Sequence, residues 1–321
     1  MRWIMDNLRI GIIGLGAVGK RLLEQFAIHE NVSVEMLCDT NPVLARETSE
    51  QYSNISWTTD YHDILKNGEI DWVYIAVPPK YHYEIVIDAI ESGKHILCEK
   101  PLANSYEEAK EMYGKAQAAG IIHAMNFPTP YSAAFQVIKE KIKKKTAGEI
   151  KRIEVKGYFH EWPRPWQQNN WIASKEQGGF TREVFPHYLQ IILQLFGKVT
   201  VEHANISFPA DNGRSEQSML AFLKLEDGTP VLLDGVSDIA MEEKISFTIY
   251  GTKETISLLD WRILKVGGSG EKPEDIPLES KNSLARLIDE LVKAHNGKQA
   301  ELVSFEQGFA VQEVLEKLLK N

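Results

Sequence analysis

The chain has 321 residues, 43% hydrophobic and 25% charged, with a formal net charge of −9. This length exceeds one comfortable core, so two domains are expected in an otherwise ordinary globular composition. The acidic balance argues against nucleic acid or an anionic membrane as partner, and no apolar run approaches the roughly 20 residues of a membrane span.

From the N-terminus, Met1–Asn7 holds too short an apolar stretch for a signal peptide. Ile10, Ile12 and Ile13 mark a short buried strand. Gly14-x-Gly16-x-x-Gly19 follows at once, and Leu22, Leu23 and Phe26 recur at helical spacing. Strand, tight turn and helix form the context in which this glycine pattern holds the pyrophosphate of a dinucleotide. Gly14 permits the turn, Gly16 lets phosphates approach the backbone, and Gly19 lets helix and strand pack closely. The N–H groups at the helix start, around Ala17 and Val18, and the positive end of its dipole would hold the phosphates. Twenty residues after Gly19, Asp39 closes a second apolar run, Val34 to Cys38. A carboxylate there accepts bonds from both adenosine ribose hydroxyls and repels a 2′-phosphate. Thr40 and Asn41 supply no guanidinium for such a phosphate, so NAD(H) is expected in preference to NADP(H). Glycines serving only chain reversal are the plainer reading; the strand, the helix and the position of Asp39 favour dinucleotide binding.

Asn41 and Pro42 open a helix predicted to reach about Tyr52. A short strand at 57–58 and a short helix from Asp60 to Lys66 follow. Asp71 to Val77 is a near-continuous apolar strand stopped by Pro78-Pro79. A helix over 82–92 ends at Gly93, and a strand at 95–98 is stopped by Glu99-Lys100-Pro101. Ser105-x-x-Glu108 is a capping box opening a helix to Ala119, closed by Gly120, and a sixth strand covers 121–125. Alternating strands and helices predict an α/β fold, a doubly wound parallel sheet over residues 1–125. Ligands bind such sheets at the carboxyl ends of the strands. Gly14 to Gly19, Asp39, Val77-Pro78 and Glu99-Lys100 all fall there.

Beyond residue 125 the pattern changes. A helix is predicted over 131–145, and its basic run, Lys139 to Lys145, is broken by Glu140 and Ile142 and reads as a solvated face. Strands are expected at 151–159, 199–208, 217–225, 230–238, 244–250 and 254–259, and helices at about 183–196, 283–296 and 304–319. Neighbouring strands without helices between them predict a second, α+β domain over 126–321 with a large, mostly antiparallel open sheet. Asp227-Gly228 signals a hairpin, and Gly267 to Pro277 reads as an exposed loop. Met219, Ala221 and Leu223 alternate with Leu220 and Phe222, so both sheet faces are partly apolar. That predicts a homo-oligomer, a homodimer or homotetramer. Cys38 and Cys98 sit at the ends of apolar runs as small buried side chains, with no disulfide or metal pattern, which suits a reducing cytoplasm.

Together these features resemble the Gfo/Idh/MocA family of NAD(P)-dependent oxidoreductases. The resemblance rests on the glycine fingerprint, on Ala76-Val77-Pro78 followed by His82, and on Gly93-Lys94-His95 leading into Glu99-Lys100-Pro101. Gly178-Gly179 before Glu183-x-x-x-His187, and Ile249-Tyr250-Gly251-Thr252, extend it over nearly the whole chain. It implies a nucleotide-binding N-terminal half and a C-terminal sheet that often serves as an oligomer interface. It also implies NAD or NADP as cofactor, and hydride transfer to or from a secondary alcohol or ketone of a sugar, cyclitol or related polyol. Glu183 stands where the family usually has Asp, Gln190 where it often has Asp, and Phe180 where a third glycine is common. Pro128-Thr129-Pro130 replaces an Arg-rich continuation after Asn126-Phe127. An NAD-dependent, redox-neutral glycosidase and a non-enzymatic nucleotide-sensing regulator are the alternatives on the same scaffold; Lys100 and His187 count against the regulator.

Oxidising a secondary alcohol needs a group that takes the hydroxyl proton. His187 is suited by its pKa. Glu183, one turn earlier, is expected to share its helix face and orient the imidazole, with Pro186 in the first turn of a helix starting near Glu183. From the residues alone a capping Glu and a packed His fit equally; the resemblance turns the pair toward catalysis. Lys100, held extended before Pro101, is expected to favour the alkoxide; a Lys paired with Glu99 is the plainer alternative. Glu99 is expected to support this turn or touch the nicotinamide ribose. Ala76, Val77, Pro78 and His82 complete the cofactor set, although a histidine at a helix start is commonly only solvated. Substrate candidates are Asn126, Trp162, Arg164, Trp166 and Trp171. Aromatic faces suit sugar C–H surfaces, and a guanidinium suits hydroxyls or a phosphate. A loop tacked over a core, or a subunit contact, explains that aromatic segment equally well.

Overall fold

The computed structural model describes residues 6–53, 55–167, 170–210, 213–279 and 282–320. The chain divides into two compact units, one of residues 6–128 and 282–309, the other of residues 129–279 and 310–320.

The first unit is a parallel sheet of β1 (Leu8–Ile13), β2 (Val32–Cys38), β3 (Ser56–Thr58), β4 (Trp72–Ile75), β5 (His95–Cys98) and β6 (His123–Met125). Its order is β3-β2-β1-β4-β5-β6, so the chain reverses direction between β1 and β4. Helices α1 (Ala17–Ala27), α2 (Pro42–Gln51), α3 (Tyr61–Lys66), α4 (His82–Glu91) and α5 (Tyr106–Ala119) connect the strands. The strands read as apolar runs because both faces are covered: Trp72, Val73, Tyr74 and Ile75 are all buried. Helix α1 buries Leu22, Leu23 and Phe26 on one side. The predicted caps form. The Asn41 side chain accepts from the N–H groups of Val43 and Leu44 at 3.1 and 3.3 Å. Ser105 Oγ accepts from the Glu108 N–H, while Glu108 accepts from the N–H of Asn104, one residue earlier than a capping box prescribes.

The second unit holds α6 (Ala133–Lys143), β7 (Ile150–Tyr158), α7 (Phe180–Glu183), α8 (Phe185–Phe196), β8 (Val199–Ser207), β9 (Ser218–Leu225), β10 (Pro230–Val236), β11 (Lys244–Gly251), β12 (Glu254–Leu259), β13 (Ile263–Gly268) and β14 (Glu274–Asp275). The sheet runs β14-β13-β12-β11-β7-β10-β9-β8. Only β7 and β10 pair in parallel. On β9, Met219, Ala221 and Leu223 are buried, whereas Leu220 and Phe222 are 58% and 38% exposed. Two features depart from expectation. Strand β14 lies in the stretch read as a loop, Gly267 to Pro277, and β13 runs into its start from residues given no element. The helix predicted over 183–196 is broken: α7 ends at Glu183 and α8 begins at Phe185, with Pro186 in its first turn. The Pro186 ring would clash with the carbonyl of Arg182 in a continuous helix.

Helices α9 (Ser283–His295) and α10 (Phe305–Lys320) close the chain. Helix α9 and the start of α10 belong to the first unit, where Trp72 Nε1 donates to His295 Nδ1 at 3.3 Å and Phe305 stacks on His123. Among the described residues, no helix is long and apolar enough to cross a membrane.

Candidate active site

In the first unit the predicted cofactor residues gather at the carboxyl ends of the strands. Gly14 has φ +96°, and a Cβ there would lie 2.4 Å from the Ala76 carbonyl oxygen. A Cβ on Gly19 would lie 2.0 Å from the carbonyl oxygen of Gly14, so α1 can approach the turn only as glycine. A Cβ on Gly16 would meet nothing within 4 Å. Helix α1 has no side-chain cap and no acidic residue in its first turn. Open space in front of uncapped N–H donors fits a dinucleotide phosphate. The Asp39 carboxylate accepts from the N–H groups of Leu15 and Asn41, both at 2.9 Å, which fixes it beside the glycine turn. Its remaining lone pairs suit ribose hydroxyls.

The loops after β4 and β5 complete this end. His82 is not solvated, contrary to the plainer expectation for a helix-start histidine; it is fully buried. Its Nε2 lies 2.8 Å from the Val77 carbonyl oxygen, and its Nδ1 lies 2.9 and 3.3 Å from those of Pro101 and Leu102. Burial holds its pKa below the ordinary histidine value, against the pull of those carbonyls. Glu99 is buried and accepts from Tyr74 OH at 2.6 Å and from Asn126 Nδ2 at 2.5 Å. Burial raises its pKa, while the two hydrogen bonds and the nearby Lys100 charge oppose the rise. Glu99 therefore braces the loop carrying Lys100, and Asn126, a sequence candidate for substrate, spends its amide nitrogen on that brace while its Oδ1 is buried without a hydrogen-bond partner among the described residues. Tyr74 is the member that sequence reading missed, as an aromatic inside an apolar strand.

In the second unit, Gly178-Gly179 leads into α7. Gly179 has φ +93°, and a Cβ there would lie 2.0 Å from Glu216 Oε2. Glu216 is 2% exposed, and its Oε1 accepts from the Thr181 N–H at 2.6 Å. Burial raises its pKa, countered by the Thr181 bonds and the Arg182 charge. Glu183 is the last residue of α7 and His187 lies in the first turn of α8, so their four-residue spacing crosses a helix break and does not lie on one helix. The ring of Trp261 meets His187 edge-on at 5.3 Å and stacks on Tyr188 at 4.9 Å. Neither Glu216 nor Trp261 carries a local sequence signal; each reaches this end only through sheet register. Gln190 is buried and donates to Gln194.

The aromatic loop divides. Trp162 is 5% exposed and packs on Phe159 and Phe180, as core. Arg164 pairs with Glu243 at 2.8 Å and lies over the rings of Phe159, Trp162 and Trp166. Trp166 is 65% exposed, and Trp171 is half-buried. Lys100 and Asn126 thus belong to the first unit; Glu183, His187, Trp162, Arg164, Trp166 and Trp171 belong to the second.

Residues 8–127 match an oxidoreductase family described as having an NAD-binding Rossmann fold, Gfo/Idh/MocA, and residues 139–321 match its C-terminal α/β domain. Levoglucosan dehydrogenase of Pseudarthrobacter phenanthrenivorans is 30% identical over 218 residues, 63% of this chain; the match spans only 55% of that protein's length. The 2,7-anhydro-N-acetylneuraminate hydratase of Escherichia coli is 27% identical over 318 residues, 92% of this chain and 82% of that protein. Among solved structures, levoglucosan dehydrogenase in complex with NADH and L-sorbose has the same fold, with a TM-score of 0.87 at 21% identity over 98% of this chain and 96% of that one. A 3-ketoreductase from Actinomadura kijaniata, solved with NADP and TDP-benzene, has a TM-score of 0.86 at 16% identity over 98% of both chains.

Proposed function

The chain belongs to the Gfo/Idh/MocA oxidoreductase family, and from that premise we propose that it is an NAD(P)-dependent dehydrogenase or reductase of a sugar or related polyol. One observation carries the reading. The glycine turn, Asp39, the Val77-Pro78 loop and Lys100 meet at the carboxyl ends of one parallel sheet, about the reversal point where such sheets take nucleotides. The names of the relatives, a levoglucosan dehydrogenase and a glucoside 3-dehydrogenase among them, support a sugar.

The nicotinamide, when bound, takes or gives the hydride. The protein's share is proton handling and positioning. In the oxidative direction His187 would accept the hydroxyl proton while the carbon bearing that hydroxyl gives up its hydride and becomes a carbonyl, and Lys100 would stabilise the alkoxide character that develops on the oxygen. Glu183 acts as the positioning residue for His187. Asp39 selects NAD(H). Two free, buried cysteines suit the cytoplasm, and the partly exposed Leu220 and Phe222 support a homo-oligomer, at least a dimer. Light scattering giving a monomer mass at micromolar concentration would refute the assembly.

The hydratase relative, matched over most of its length, favours one second reading: a net redox-neutral reaction in which cofactor is not consumed. A panel of sugars, anhydrosugars and cyclitols with NAD⁺ and NADP⁺ separates the two. Reduced nicotinamide accumulating with one sugar supports the dehydrogenase. Sugar conversion without its accumulation supports the redox-neutral reading, and no conversion of any sugar sinks both.

A further inference from the structure

Asp39 follows β2 on one flank of β1, whereas β4 and β5 lie on the other flank. A dinucleotide with its pyrophosphate at the glycine turn and its adenosine ribose at Asp39 must extend its nicotinamide half toward the loops after β4 and β5. These loops come from strands separated in sequence by all of α4, and β4 and β5 stop short of them at Ile75 and Cys98. His82 bridges them. One ring nitrogen faces the Val77 carbonyl and the other faces the carbonyls of Pro101 and Leu102, directly after Lys100. Val77 in turn borders the glycine turn, its Cγ1 lying 3.1 Å from where a Gly14 Cβ would stand. The path from glycine turn to Lys100 is therefore continuous, and the His82 side chain links the two loops along it. A neutral ring donates to one loop at a time; the imidazolium donates to both.

We propose that His82 is a positioning residue that ties these two loops into one preformed surface for the nicotinamide half of the dinucleotide. The proposal rests on the reading of the glycine turn as the pyrophosphate site. It separates His82 from Asp39 on the adenosine side, whose partners are the N–H groups of Leu15 and Asn41 and none of the groups that His82 meets.

Binding of NADH and of AMP, measured by calorimetry on the full chain, tests it, since AMP probes the adenosine half alone. Asn places its amide nitrogen near the position of Nδ1, and Gln places its own near Nε2, so His82→Asn can donate only to the loop after β5 and His82→Gln only to the loop after β4, whereas the ring can serve either. Each is expected to weaken NADH binding about tenfold, the worth of roughly one hydrogen bond, with AMP binding unchanged. Unchanged NADH affinity, or equal losses for NADH and AMP, overturns the proposal. Should both variants fail to fold, hydrogen exchange on the unmodified protein decides. NADH must protect residues 76–82 and 99–104 together where AMP protects neither; protection of the first segment alone refutes the tie. Gly16→Asp should abolish binding of both ligands, and NADH binding that survives it would sink the pyrophosphate reading instead.

Discussion

The candidate ligand-facing groups of the first unit are largely backbone: N–H groups at the start of α1 and loops held through carbonyls around His82, with Asp39 and Lys100 added at strand ends. In the second unit the corresponding groups are side chains held by other side chains far away in sequence. Glu216 on the segment before β9 sits against Gly179, Trp261 from the β12–β13 turn meets His187, and Glu243 takes Arg164. A backbone-built site depends on where glycines and strand ends fall. A site built from side chains depends on sheet register, so it tolerates exchange of its members while the fold persists. Glu183 and Gln190 in place of the acids usual in the family are changes of the second kind.

The largest expected effects test whether both kinds of site serve one reaction. His187→Ala and Lys100→Ala should each lower kcat about 10²–10⁴-fold on the sugar that the panel identifies, with NADH affinity little changed. The double variant should lose less than the product of the two, because both groups act on one proton. A large loss for Lys100→Ala beside near-normal turnover for His187→Ala would confine the chemistry to the first unit and return His187 to packing.

Next come two glycines that look alike in sequence. Gly179→Ala forces a Cβ to 2.0 Å from a buried carboxylate oxygen at φ +93°. Overpacking and the left-handed backbone together should cost about 2–4 kcal/mol of stability in denaturant melts. Gly16→Ala places its Cβ in open space at φ −66° and should stay within about 0.5 kcal/mol of the parent in stability, yet weaken NADH binding by crowding the phosphates. Equal stability losses in the two would erase the contrast between a ligand-facing glycine and a packing glycine. A smaller effect is expected at Asp39: Asp39→Ala should narrow the preference for NAD⁺ over NADP⁺ in kcat/KM, and a native preference for NADP⁺ would overturn the assignment.

The sequence announced the first unit well for a physical reason. Several elements there carry their own stop or cap, as Asn41, Gly93, Ser105 and Gly120 do, and Asp39 and Lys100 lie next to such signals. Strand β13 carries no such signal of its own, and its last residues, Gly267 and Gly268, read as loop. In the structure a Cβ on Gly267 would lie 2.8 Å from Pro273 Cα, so the glycine marks a chain folding back closely on its own strand. The break at Val184 is half legible: Pro186 announces a helix start, but no local signal says whether Glu183 lies inside that helix or ends another. Glu216 itself lies in a polar segment whose depth only the fold reveals.

That buried carboxylate measures how much stability the second unit gives up for its side-chain support. Burial raises the pKa of Glu216 in the folded protein. Between its unfolded pKa, about 4.3, and its higher folded value, the native state binds more protons than the unfolded one. The stability this group contributes is thus fully present below the unfolded pKa and is lost as pH rises through the folded one. Gln keeps an oxygen to accept from the Thr181 N–H and cannot titrate. Melting temperature followed from pH 4 upward, a range in the span of ordinary carboxylate titration, should therefore fall more for the unmodified protein than for Glu216→Gln. The raised pKa of Glu99 acts in the same direction in both proteins, so the difference between the two curves belongs to Glu216. Parallel curves would mean that Thr181 and Arg182 fully compensate the buried charge. The second unit would then hold Glu216 against Gly179 as cheaply as the first holds its backbone turn.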